Sequence, residues 1–314
     1  MGVYTSFYSC ESWTILNPIE QKIKNKIEQI GTPLKEWENI QINYGIKTGF
    51  NEAFLIDSNT KKELISADPK SAELIRPILR GRDIGRYTYR FSNLWLLYIP
   101  WHFPLHQDEI AGASKKAEME FEKQYPAIYN HLTKYKKQLS SRNKEETGIR
   151  YEWYALQRWG AKYKDEFFKQ KILFQEMIQE PSFVLDNDHH FFCLDTGRII
   201  TGSHLEYLVG LMNSKLFFYA VKKFYGGGAL GSTGIRMKHT FFGEFPAIIP
   251  TNDEFDHFKK LYYSNEDRTI FDKEIVSYLY SKYKFTQEEI AVIESTYNLW
   301  YLSKMYKYSS SVNP

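Results

Sequence analysis

The sequence predicts an α+β protein, with a mixed sheet at its centre and a helical C-terminal tail. Three observations lead there. Apolar runs at Leu94–Ile99, Ile172–Ile178, Phe183–Leu185 and Phe191–Leu194 are short, bounded by turn residues, and read as strands. Helical patterns lie between them without a regular βαβ alternation, which argues against a doubly wound sheet. After Pro250 the composition shifts towards helix, at Phe271–Tyr283 and Thr286–Tyr306. The expected organisation is an N-terminal linker helix over 1–33, a central domain over 34–250 and a helical tail over 251–314.

Met1–Trp13 shows no clear period. Asn17-Pro18 then starts a helix with proline in its first turn, striped by Ile19, Ile23, Ile27 and Ile30 and stopped at Gly31-Thr32-Pro33. Residues 40–57 read as strand, glycine-bearing turn and strand. Asp68-Pro69-Lys70-Ser71 opens a short helix that ends near Ile75. Ser114–Leu139 is helical, and Pro126 should split it in two. Its lysines, Lys134, Lys136 and Lys137, read as a solvated face. Arg142–Glu146 reads as a mobile polar loop, and Asp186-Asn187-Asp188 as a turn. The apolar spacing of His204–Phe224 is that of a core helix, broken at Asn213-Ser214. Thr286 and Glu289 form a capping box for the last helix, striped by Ile290, Ile293, Tyr297 and Trp300.

Composition narrows the function classes. With 41 basic against 38 acidic residues in 314, the net charge is only +3, so an anion-binding surface requires local clustering. The 24 tyrosines and 22 phenylalanines are mostly core, though tyrosine also suits polar binding surfaces. Cys10 and Cys193 form neither a disulfide framework nor a metal knuckle. No apolar run reaches the roughly 18 residues of a membrane helix, and no signal-peptide pattern is present. The expected compartment is the cytoplasm, with no membrane association.

Four stretches carry candidate binding residues. In Tyr44–Asp57, Gly45 and Gly49 permit close approach and positive φ, while Lys47, Thr48 and Asn51 supply a charge, a hydroxyl and an amide. Ordinary turn chemistry explains the same residues. In Arg76–Arg90, five arginines stand against one acid among glycines and tyrosines. Arg80, Arg82 and Arg86 are the candidates there for phosphate or guanine. The third stretch, Lys222–His239, has five glycines in nine residues, too many for a core. It reads as a flexible loop that tracks phosphates through Lys222, Lys223, Gly227, Arg236 and Lys238, or as a plain surface loop. Gln157 and Arg158 beside Trp153, Tyr154 and Trp159 suit base reading as well as core packing.

The run Gly45-Ile46-Lys47-Thr48-Gly49-Phe50-Asn51-Glu52-Ala53-Phe54-Leu55-Ile56-Asp57, followed by Ile75-Arg76-Pro77-Ile78-Leu79-Arg80-Gly81-Arg82-Asp83-Ile84-Gly85-Arg86-Tyr87, resembles the TaqI-like C-terminal specificity domain of adenine-specific DNA methyltransferases. Tyr151–Arg158, Lys171–Glu176, Tyr207–Lys215 and Phe245–Pro250 extend the likeness in order, over roughly residues 13 to 300. In that family the domain is joined to restriction-modification enzymes that methylate and cut with one polypeptide. The resemblance implies a target-recognition domain for duplex DNA whose partner is an N-terminal methyltransferase domain. S-adenosylmethionine and magnesium would belong to domains outside this chain.

Chemistry of its own is not legible. The Asn/Asp-Pro-Pro-aromatic motif of adenine methylation is absent, and Asn17-Pro18-Ile19-Glu20 reads as a helix cap. Asp57 with Asp68-Pro69-Lys70 has the spacing of a magnesium nuclease, but proline is awkward in the strand such sites use. His189, His190 and Cys193 lack a fourth zinc ligand. The expectation is a non-catalytic DNA-binding chain with no cofactor or metal of its own. The alternative is an interaction module docking a partner subunit of a restriction or phage-defence system.

Overall fold

The computed structural model describes residues 16–106, 110–142, 150–188, 190–225, 229–230, 234–264 and 267–295. These fall into two compact units, each built from discontinuous chain. One comprises the described parts of 1–41, 176–185 and 202–314; the other comprises 42–175 and 186–201. Both mix helices with short strands, so the α+β expectation holds.

The unit built around 42–175 rests on two strand systems. In the first, Trp95–Leu97 lies between Leu55–Ile56 and Ile75–Leu79, antiparallel to both, and Ile75–Leu79 pairs in parallel with Phe192–Cys193. In the second, Gly197–Gly202 runs antiparallel to Lys171–Gln175, with Arg198 opposite Phe174. Helices Ser58–Ala67, Lys115–Gln124, Pro126–Thr133 and Lys136–Ser140 belong to the same unit. Phe54, Leu96, Phe121, Ile128, Leu132, Tyr154, Phe167 and Phe192 are fully buried among them. Phe121 stacks on Tyr154 at 4.5 Å, and Phe167 on Phe192 at 4.6 Å.

The other unit is more helical. Asn17 caps the helix Pro18–Ile30 in a full capping box with Glu20, and the stripe buries Ile23 and Ile27 while Ile30 stays exposed. Helices Leu205–Met212 and Lys215–Ala220 are buried almost throughout. They break where expected, with Ser214 capping the second. The amide of Asn213 both accepts from Phe183 N and donates to Phe183 O, like an extra rung of backbone. Helix Thr269–Lys282 packs on Leu205–Met212 at Gly210, where an added Cβ would stand 2.8 Å from the Phe271 ring. Buried tyrosines end on carbonyls: Tyr207 on Ile248 O and Tyr283 on Pro246 O.

Several expectations are corrected. Residues 40–57 do not form a hairpin, because Ile40–Tyr44 and Leu55–Ile56 belong to different sheets, and Asn51–Phe54 between them is one helical turn. That turn buries the consecutive residues Ala53 and Phe54, which a pleat would send to opposite faces. Ile172–Ile178 is two strands broken at Glu176. Strand Gly197–Gly202 was not expected, and neither was helix Asn252–Ser264, although Thr251 and Glu254 form a capping box that marks the helix in the sequence. Tyr297 and Trp300 lie outside the described residues.

Lys171 and Asp186 form a fully buried ion pair at 2.7 Å, with Asp186 also accepting from Phe191 N. Burial pulls the Lys171 ammonium down from its ordinary value, and Asp186 opposes that pull. Asp186→Ala leaves the ammonium buried without its anion. It should cost about 3–5 kcal/mol in denaturant unfolding; a loss under about 1 kcal/mol would show that the pair holds nothing together.

Candidate nucleic-acid interface

The first two basic stretches, some thirty residues apart, reach one end of one strand system. Ile46 bridges Leu194 in parallel, and Leu79 pairs in parallel with Cys193. Because both strands run with Phe192–Leu194, the chain leaves both at the same end: into Lys47–Asn51 on one side, into Arg80–Arg90 on the other. Two strand spacings separate the exits, about 10 Å.

Arg158 joins them through its backbone. Lys47 N donates to Arg158 O at 3.0 Å and Arg158 N to Lys47 O at 2.9 Å, a hydrogen-bonded antiparallel pair. Residues so paired project their side chains to the same face of the ladder. The exposed Arg158 guanidinium lies 5.3 Å from the Tyr44 ring, and that of Arg198 lies 4.1 Å from the same ring.

The loop after Lys47 is held from beneath. Arg142 is half-buried; its Nε donates to Leu139 O, Nη1 to Thr48 O, and Nη2 to Trp153 O and Ala155 O. Burial pushes its pKa down to about 10, which leaves it cationic at neutral pH. All four acceptors are backbone carbonyls. Expected as the start of a mobile polar loop, Arg142 instead ties three chain segments together; residues 143–146 lie outside the described ones. Thr48 is buried and its hydroxyl donates to Asn51 Oδ1 at 2.6 Å, whereas Asn51 is exposed. Gly49 has φ +78°, and a Cβ there would stand 2.7 Å from Arg142 Cδ and 2.8 Å from Oε1 of the buried Gln157.

The arginine stretch forms a braced hairpin. Arg80 forks onto Asp83, Nε to Oδ2 at 2.9 Å and Nη2 to Oδ1 at 3.0 Å. Asp83 also accepts from Arg80 N and Ser92 Oγ, while Arg90 N donates to Asp83 O. Beyond this brace Ile84 bridges Tyr89, leaving Arg86-Tyr87 at the tip with Tyr87 at φ 59°. Arg80 serves as the brace of the hairpin; Arg82 and Arg86 are exposed, with the Arg86 guanidinium 5.1 Å from the Tyr87 ring. Tyr89 and Phe91 rest on Phe191.

The third basic stretch belongs to the other unit and is not simply a loop. Ala229–Leu230 and Gly234–Arg236 pair antiparallel, and the latter pairs with Met177–Ile178. Gly227 lies outside the described residues. Arg236 forms an ion pair with Glu176 at 2.6 Å, and Lys223 with Glu20 at 2.7 Å. Lys222 and Lys238 are half-buried, and burial, then the neighbouring Lys223, lowers the Lys222 ammonium.

The nuclease-like spacing is occupied by caps: Asp57 accepts from Thr60 N, and Asp68 from Lys70 N. His190 is exposed, Cys193 is buried with its thiol pushed up to about 12, and His189 lies outside the described residues. Among the described residues no group of three or more His, Cys, Asp or Glu is placed to hold a metal ion, and no helix is long and apolar enough to cross a membrane.

Sequence reasoning gave no binding role to Arg142, Arg198 or Tyr44. Tyr44 and Arg142 open segments noted in the sequence, but only folding shows that Arg142 and Arg198 converge on the Lys47 region.

Burial raises the Asp83 carboxyl, but the side-chain hydrogen bond from Arg80, that from Arg80 N and that from Ser92 outweigh it, so the pKa falls below its ordinary value. The stability this contributes is present above the unfolded carboxylate range, near pH 4, and is lost as pH falls through the lower folded value. Asp83→Asn should therefore speed amide exchange at Gly85 and Arg90 at neutral pH and leave strand 171–175 protected. Unchanged exchange at Arg90 would refute the brace.

No family model matches the sequence, and no curated protein matches it. Solved structures do. The Type IIL restriction-modification enzyme MmeI, in complex with DNA, matches with a TM-score of 0.55 at 16% identity, over 85% of this chain and 36% of that one. The Type IIG restriction endonuclease BpuSI matches with a TM-score of 0.44 at 13% identity, over 84% of this chain and 32% of that one. The chain thus shares the fold of a segment of MmeI and spans about a third of the length of either enzyme.

Proposed function

We propose that this chain binds duplex DNA as the target-recognition part of a restriction-modification enzyme. The observation that carries the reading is the delivery of Lys47–Asn51 and Arg80–Arg90 to one end of a strand system, with Lys47 and Arg158 side by side. With a net charge of only +3, the protein can attract a polyanion only through such local clustering of basic stretches. The fold shared with a segment of MmeI supports the same reading.

The finer assignment follows from the sequence resemblance. The parent enzyme is an adenine-N6 DNA methyltransferase of the TaqI-like kind, acting in the cytoplasm, and this chain chooses its target without catalysing a reaction. S-adenosylmethionine and magnesium act in other domains. Within this chain, Lys47, Arg158, Arg82 and Arg86 meet DNA; Arg80 holds its hairpin, and Gln157 supports Gly49.

Selection from a random duplex pool at moderate salt should enrich one short sequence. Affinity should fall steeply with salt, and Lys47→Ala and Arg158→Ala should each flatten the log–log slope by about 0.9. An apolar docking surface would show almost no salt dependence, and that result would overturn the reading. Magnesium-dependent nicking of plasmid by the purified chain would overturn its non-catalytic part.

A further inference from the structure

Resting on the DNA-binding reading, we propose that Thr48–Asn51 is a built seat for one backbone phosphate, with Arg142 as its positioning residue. Two independent observations meet here. The first is the direction of a peptide group. Arg142 Nη1 takes the Thr48 carbonyl inward. A trans peptide holds its C=O and N–H on opposite sides, so the N–H of Gly49 turns the other way, towards the exposed side of the loop. Gly49 itself is in the left-handed region, the backbone geometry in which successive N–H groups form anion-binding concavities. Its N–H has no hydrogen-bond partner among the described residues. Lys47 and Arg158 flank the loop, and the exposed Asn51 amide closes it.

The second is the charge underneath. A guanidinium paired with a carboxylate would present almost no net charge to the surface. Arg142 is satisfied by four carbonyls, so its full positive charge remains beneath the loop in a medium less polar than water. Phe54 and Tyr151 rings lie 5.4 Å and 5.7 Å from it and limit access of water. The loop therefore presents an aimed amide with a half-buried cation behind it. That combination suits a phosphodiester oxygen.

Amide NMR of the full chain tests the seat without a variant. On titration with duplex DNA at low salt, the Gly49 N–H should shift downfield and saturate together with binding. Inorganic phosphate, at the same concentration of phosphate groups, should move it at least tenfold less. Arg142→Lys keeps the charge but loses the fork, and Arg142→Met loses both. Both should abolish the Gly49 shift, and affinity should fall about tenfold, the effect of one charge-assisted hydrogen bond. Only Arg142→Met should also flatten the salt slope, by about 0.9. Should either variant fail to fold, Asn51→Ala with Lys47→Ala reports on the same seat from its exposed side, again through the Gly49 shift. A duplex that binds tightly while Gly49 does not move overturns the seat and leaves DNA binding standing. An equal response to inorganic phosphate overturns DNA as its ligand. Failure of the unaltered chain to bind any duplex removes the reading beneath it.

Discussion

The contact on which the candidate interface depends is a backbone approach at Gly45. A Cβ at this position would stand 1.9 Å from the Leu194 carbonyl oxygen, closer than any side chain permits. Its absence lets Gly45 N reach Gly197 O and Ile46 N reach Cys193 O. With that ladder in place, Lys47 meets Arg158 and the chain leaves at the end where the arginine hairpin also leaves. Any side chain at 45 would lift the segment off Phe192–Leu194 and move every donor beyond it.

The cations differ by what neutralises them. Lys171 is buried against Asp186, and Arg80 forks onto Asp83; both are largely cancelled by a carboxylate and serve the fold. Arg142 is held by carbonyl dipoles, which satisfy its donors without cancelling its charge. Arg158 and Arg198 lie against the Tyr44 ring, whose quadrupole attracts them weakly. Two of these cations, Arg142 and Arg158, lie close to Lys47 in the fold. In the other unit, Lys223 and Arg236 each face a glutamate within hydrogen-bond distance, which reduces their pull on a distant anion.

Rigidity follows the same division. The Thr48–Asn51 loop carries a glycine at positive φ and an exposed amide, features of a mobile turn. Yet Arg142, Gln157 and the Thr48–Asn51 hydrogen bond constrain it from below. The arginine hairpin is similarly braced by one carboxylate that receives four hydrogen bonds and by an aromatic cluster at its base. Donors held in place before a ligand arrives lose little entropy on binding.

The sequence by itself determined what local chemistry decides: the α+β class, the caps at Asn17, Ser214 and Thr286, the split at Pro126, and the basic stretches in which candidate donors lie. Turn residues, caps and apolar periods act over a few residues, so they are readable without a fold. It misjudged Asn51–Phe54 as part of a hairpin and Arg142 as the start of a mobile loop, because both are settled by distant partners: Leu96 pairing with Leu55, and carbonyls at 48, 153 and 155. Only the tertiary structure decided which cations stand together and which are cancelled. A charge is a property of a residue, but its neutralisation depends on the register and packing of segments far apart in the chain.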